Sequence, residues 1–174
     1  MKKTHYICCL ATAMSCAAQA VWAHSDAHRQ HGAHVHGQAQ VTLAALDGEV
    51  SLSLSVPAGD ILGFERAPQS SAESEQIAAA LADFKSANWL QMPAQGQCEV
   101  HQATAHTPLT EDDHSGHADI HVDVHWRCES LRGRVDFAEF FVHYDSIHTI
   151  ELEWLSASGA GSQTLTAQDS ALRL

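Results

Sequence analysis

Apolar and polar residues alternate over residues 35–56, which predicts a β-hairpin. Asp47-Gly48 is a typical two-residue hairpin turn and divides this stretch into two strands. With that turn, Leu43 lies opposite Leu52 and both belong to the same apolar face, so the predicted register is self-consistent. The apolar positions assigned to that face of the first strand are Val35, Ala39, Val41 and Leu43.

The segment after the hairpin has apolar residues at helical spacing. Ser70 and Glu73 have the spacing of a capping box, which predicts the start of a helix. The apolar residues on one side of this helix are Ile77, Leu81 and Phe84. A second strand pair is then predicted at about residues 97–105 and 116–128.

The last third of the chain has a similar layout, although no internal repeat is recognisable in the sequence. Asp136 and Glu139 indicate a second helix start, and aromatic residues recur at helical spacing at Phe137, Phe140, Phe141 and Tyr144. A final strand pair is predicted over residues 148–155 and 163–174. The order ββαββαββ predicts an α+β fold, an antiparallel sheet or sandwich with two helices packed against it.

Residues 117–128 combine a strand pattern with metal-ligand chemistry. In a strand, alternate side chains point to opposite faces, so this segment has one apolar face and one polar face. The polar positions are His117, Asp119, His121, Asp123, His125 and Arg127. We therefore predict a ladder of imidazoles and carboxylates along one side of a strand.

The N-terminus has the layout of a secretory signal peptide. Lys2 and Lys3 precede a short apolar run at residues 7–18, and a small-residue cleavage site follows at Ala20 or Ala23. We prefer Ala23, which gives a signal peptide at 1–23, a flexible His-rich arm at 24–34 and a single metal-binding domain at 35–174. The mature chain has no second hydrophobic stretch, so we expect no membrane insertion after cleavage.

Two cysteines, Cys98 and Cys128, remain after cleavage, and in an oxidising compartment such a pair predicts a disulfide. A register that faces the two cysteines across antiparallel strands also pairs Val100 with Trp126, Glu99 with Arg127 and His101 with His125. The last pairing places two imidazoles about 5 Å apart at their Cβ atoms. His101 and His125 together with Asp123 or Asp119 are therefore the predicted tight metal site.

Histidine is the outlier of the composition, with 14 residues against 9 Lys and Arg in all, and the net charge is −12. Such acidity argues against nucleic acid or anionic lipid as a partner and suits cation binding. The predicted ligands are His28, His31, His34, His36, His101, His106, His114, His117, Asp119, His121, Asp123 and His125. Imidazole with carboxylate favours Zn²⁺, while Cu²⁺ and Ni²⁺ can compete on affinity in vitro.

An exported copper/zinc oxidoreductase is the alternative function. The segment His34-Val35-His36 is similar to the His-x-His copper ligands of the Cu/Zn superoxide dismutases, but the Gly-rich zinc loop of that family has no counterpart. We expect a binding protein and not an enzyme.

The chain resembles the ZrgA family of zinc-regulated periplasmic zinc-binding proteins. The matching motifs are Gly32–Gly37, Gly63-Phe64-Glu65 with Pro68, His117–Cys128, the aromatic segment Phe137–Phe141 and Leu165-Thr166. The resemblance implies zinc binding in the periplasm of a Gram-negative bacterium for zinc uptake, with delivery to the periplasmic binding protein of a zinc ABC importer. Two departures are a short insert at Thr107–Gly116 and Arg66, which stands where the family often has histidine.

Overall fold

The predicted hairpin is present in the computed structural model, which describes residues 34–110 and 118–174. Strand β1 (Gln38–Leu46) pairs antiparallel with β2 (Glu49–Pro57), and Leu43 faces Leu52 as expected. The turn residues Asp47 and Gly48 have φ of 53° and 82°, as a two-residue turn between twisted strands requires. The hairpin and its register are confirmed.

Three helices and six further strands follow in the described residues. They are, in order, α1 (Ala58–Leu62), α2 (Ser71–Ser86), β3 (Glu99–His106), β4 (Asp119–Arg127), β5 (Arg134–Asp136), α3 (Ala138–His143), β6 (Thr149–Ser156), β7 (Gly159–Leu165) and β8 (Ala171–Arg173). The largest sheet has the order β3-β4-β2-β1-β6-β7, and β5 pairs with β8 in a second, two-stranded sheet. The α+β class is confirmed.

The predicted order ββαββαββ and the count of two helices are wrong. A short helix, α1, begins directly after Pro57 and ends at Gly63, whose φ of 78° is the left-handed conformation that glycine adopts readily at a helix C-terminus. The predicted last strand is interrupted by a turn in which the backbones of Thr166 and Asp169 bond to each other, so β7 and β8 belong to different sheets. The large sheet is also mixed, because β1 pairs with β6 in parallel.

One face of the large sheet forms the core and the other is polar. Ile120, Val122 and Val124 of β4 are at most 1 % exposed, whereas the alternate residues of the strand are only partly buried or exposed. The predicted division of β4 into an apolar and a His/Asp face is therefore confirmed. Val35 departs from the predicted alternation: it is 60 % exposed, because the chain turns at Gly37 before β1 begins.

The Cys98–Cys128 disulfide is present and joins the chain at the start of β3 to the end of β4. Closure of a loop with a sequence separation of 30 residues stabilises a domain by roughly 2–4 kcal/mol. The neighbouring pairs Glu99–Arg127 and Val100–Trp126 occur as predicted. No helix in the described part of the chain is long and apolar enough to cross a membrane.

The predicted pairing of His101 with His125 is wrong. The register of β3 against β4 shifts between Val100 and Gln102, so Gln102 faces His125 and His101 is the extra residue of a bulge. The shift also places His106 opposite His121. The strand alternation of β3 gave no sign of this one-residue insertion.

Candidate metal centre

Two histidines and one glutamate converge beside the junction of β2 and α1. His34 and His36 precede β1, and Glu65 lies in the loop after α1. One ligand atom from each of these three residues lies within 4.8 Å of the other two. Within residues 34–110 and 118–174, this is the one group of three or more His, Cys, Asp or Glu side chains that meets this distance. We call it the His34–His36–Glu65 cluster.

His34 lies between two carboxylates. Its Nδ1 is 2.7 Å from Oδ1 of Asp119, and its Nε2 is 3.1 Å from Oε1 of Glu65. The second oxygen of Asp119 accepts a hydrogen bond of 2.8 Å from the Ser55 hydroxyl, which fixes that carboxylate on the first residue of β4. The side chain of His34 is only 12 % exposed, so the neighbouring residues restrict the orientation of its ring.

His36 has the same arrangement with a different aspartate. Its Nδ1 is 2.9 Å from Oδ1 of Asp60 in α1, and its Nε2 is 3.7 Å from the same Glu65 oxygen. The backbone N–H of Gly37 donates to the other Asp60 oxygen at 2.6 Å. The two imidazole rings have centroids 5.3 Å apart. His36 is the open side of the cluster, with its side chain 57 % exposed.

Two glycines allow these groups to approach one another. Gly37 has φ of 77°, and this turn brings His36 and the Gly37 N–H to face Asp60. Gly59 in α1 packs against Glu65: a Cβ atom at this position would lie 2.8 Å from Glu65 Oε1. The absence of a side chain at residue 59 therefore leaves room for the carboxylate.

This arrangement prepares both imidazoles to bind a cation through Nε2. A neutral imidazole has one N–H, and an aspartate at Nδ1 favours the tautomer in which Nε2 carries the lone pair. Metal-binding histidines usually have such a carboxylate at the second ring nitrogen. Tetrahedral Zn²⁺ with bonds of about 2.0–2.2 Å needs ligand atoms roughly 3.4 Å apart. The two distances from Glu65 Oε1, 3.1 Å to His34 Nε2 and 3.7 Å to His36 Nε2, are each within about 0.3 Å of that separation.

Asp60 raises the pKa of His36 above its ordinary value of 6.5, first through the hydrogen bond and then through its charge. The resulting stabilisation is present below pH about 6.5 and is lost as the pH rises through the raised pKa. We expect Asp60→Asn to lower the His36 pKa toward 6.5 in the metal-free protein. An NMR titration of the imidazole signals measures this, with Asp123→Asn as the control, because Asp123 accepts its hydrogen bond from Ser53 elsewhere on the sheet. An unchanged His36 pKa in Asp60→Asn would contradict the pairing.

Of the predicted ligands, His34, His36 and Asp119 come together here. Glu65 and Asp60 were missed as members of a metal site. Glu65 stood in the Gly63-Phe64-Glu65 motif of the resemblance, which was a usable signal; Asp60 had none, because it follows Pro57 in a segment with no recognisable pattern.

The other predicted ligands lie elsewhere in the structure or outside the described residues. Ser51 Oγ lies 2.9 Å from His125 Nδ1, and Ser53 donates to Asp123 at 2.6 Å. His101 and His125 line one surface groove, although they are not a register pair. His106 and His121 face each other on β3 and β4. The predicted signal peptide and the predicted ligands His28, His31, His114 and His117 lie outside the described residues.

Comparison with protein families gives one result that bears on this site. The family model described as ZrgA family zinc uptake protein matches residues 33–174, which include the whole cluster. A search of curated proteins gives no match.

Proposed function

The chain belongs to the ZrgA family of zinc uptake proteins, and on that premise we propose that it is a periplasmic protein that captures Zn²⁺ at the His34–His36–Glu65 cluster. It buffers the ion or delivers it to the periplasmic binding protein of a zinc ABC importer. Zinc is its cargo, and the protein performs no catalysis. Cu²⁺ and Ni²⁺ compete for the same imidazole ligands in vitro.

The observation that supports this function is that the Nε2 atoms of both imidazoles face one carboxylate oxygen. Each Nδ1 faces an aspartate oxygen, and each Nε2 faces the same oxygen of Glu65. A cation among these three atoms would meet two neutral nitrogens and one carboxylate, which is the ligand chemistry of zinc. Three protein ligands leave a fourth position open for water or for a ligand from a receiving protein, which suits an ion that must leave again.

Export is supported by the layout of residues 1–23 and agrees with the Cys98–Cys128 disulfide, since disulfides persist in oxidising compartments. The surplus of acidic residues agrees with a cation cargo. The oxidoreductase alternative would need a redox-active ion such as Cu²⁺ at this cluster, whereas two imidazoles with one carboxylate are a ligand set that suits Zn²⁺.

Zinc titration of the demetallated wild type and of two glycine variants tests this function. We expect one tight Zn²⁺ in the wild type and in Gly63→Ala. Gly59→Ala should weaken the tight event by about tenfold, because the new methyl group displaces the Glu65 carboxylate. Competition with a chromophoric chelator gives the affinity, and native mass spectrometry gives the stoichiometry.

Gly63→Ala is the matched control because we expect it to change stability and not zinc affinity, the reverse of Gly59→Ala. A Cβ atom at residue 63 has nothing within 4 Å, but the left-handed φ of 78° strains any residue other than glycine. This variant should therefore lose stability and keep zinc affinity, whereas Gly59→Ala should keep stability and lose affinity. Wild-type protein without a tight zinc site would refute the function, and equal affinities of the two variants would refute the role of Glu65.

A further inference from the structure

A second pair of histidines faces across two strands outside the cluster. His106, the last residue of β3, is the register partner of His121 in β4. The centroids of their rings are 5.3 Å apart and the ring planes are inclined by 32°. His106 is exposed and His121 is partly buried, so solvent reaches the pair from the polar face of the sheet.

The separation of the rings suits a shared ion. Two imidazoles bound to one tetrahedral Zn²⁺ through bonds of about 2.0–2.1 Å have ring centroids roughly 5 Å apart. The observed 5.3 Å between His106 and His121 is therefore close to the bound geometry. Because both residues lie on paired strands of one sheet, their backbones are fixed and little ordering is needed on binding.

The surroundings of the pair are neutral or acidic. The residues that continue the same row across the sheet are Ser55, Gln40, Glu151 and Thr164. Asp119 and Asp123 flank His121 along β4 on the same face, each about 7 Å away. In the part of this row that the structure describes, no lysine or arginine would repel a cation, and the two aspartates add attraction.

We propose that His106 and His121 form a second, exposed site for a borderline divalent cation such as Zn²⁺, Cu²⁺ or Ni²⁺. Two imidazoles hold the ion and water completes its coordination, so the site is weaker than the three-ligand cluster and exchanges its ion readily. The proposed site depends on the strand register and the ring geometry of His106 and His121, and not on zinc binding at the cluster.

The test separates this pair from the cluster. In a His31→Ala/His34→Ala background, Zn²⁺ titration should still show weak binding, and His106→Gln should weaken its strongest remaining event at least about tenfold. His121→Gln should do the same, and the double variant should be little worse than either single variant, because loss of one imidazole already destroys a shared site. Circular dichroism verifies that each variant is folded.

His125→Gln is the matched control, since His125 lies on the same strand and face but contacts Ser51 and faces Gln102. It should leave the weak event unchanged. In isotope-labelled wild-type protein, the imidazole nitrogen signals of His106 and His121 should shift together as Zn²⁺ is added, which needs no variant. Separate shifts, additive losses from the two single variants, or an equal loss from His125→Gln would overturn the proposal.

Discussion

Replacement of His34 by alanine should weaken tight zinc binding by at least about 100-fold, or roughly 2.7 kcal/mol. His34 is the more enclosed imidazole of the cluster, and its Nε2 lies closer to Glu65 Oε1 than the Nε2 of His36 does, at 3.1 Å against 3.7 Å. Its loss removes a ligand and leaves Asp119 without a ring to orient. Competition titration with a chelator of known affinity measures the change.

The matched control is His31→Ala, three residues earlier in the same His-rich segment and outside the described residues. If the cluster is the tight site, this variant should keep the wild-type affinity for the first zinc and lose at most a weaker event. An equal loss in both variants would mean that the N-terminal histidines bind zinc collectively and that the cluster has no special role.

The strand pattern predicted the sheet well because burial on one face imposes a period of two. Leu43 opposite Leu52, and the alternation of Ile120 and Val122 with Asp119 and His121, follow from that single constraint. The disulfide register also extended correctly to Glu99 and Val100, as far as the chain remained regular.

The features that local pattern did not reveal are those in which the chain departs from regularity. The bulge at His101 adds one residue, and every partner beyond it moves, so the imidazole facing β4 is His106 and not His101. The turn at Gly37 exposes Val35, and His34, assigned to the flexible arm, lies inside the structure beside Glu65. Neither the bulge nor the turn changes the hydrophobic pattern of the sequence enough to be detected from that pattern.

The site also depends on contacts between residues that are far apart in the sequence, which local pattern does not reveal. His36 and Asp60 are separated by 24 residues, and Ser55 and Asp119 by 64. Spacing along the sequence could identify His34 and His36 as neighbours, but only the fold shows which carboxylates reach their rings. The sequence could therefore predict that its His-rich segment contributes metal ligands, and the motif that contains Glu65 was a usable signal, but no pattern in the sequence identified Asp60.

Glu65→Gln should reduce zinc affinity by about 10- to 100-fold while the protein remains folded. Glutamine keeps the shape of the side chain but removes the one negative charge placed between His34 Nε2 and His36 Nε2. It also removes a carboxylate from a region that holds Asp60 and Asp119, so the metal-free protein should be at least as stable as the wild type. Zinc titration and urea unfolding of the metal-free protein measure the two effects.

Glu73→Gln is the control with the reverse expectation. Arg66 and the backbone N–H of Gln69 lower the pKa of Glu73 to about 2, so the ionised carboxylate stabilises the fold at neutral pH and this contribution is lost as the pH falls through about 2. Loss of the charge should therefore lower the urea midpoint at pH 7 and leave zinc affinity unchanged, because Glu73 belongs to α2 and not to the cluster. If Glu65→Gln bound zinc as tightly as the wild type while Glu73→Gln bound it less tightly, Glu65 would not be a ligand, and the zinc site would have to be sought among the strand histidines.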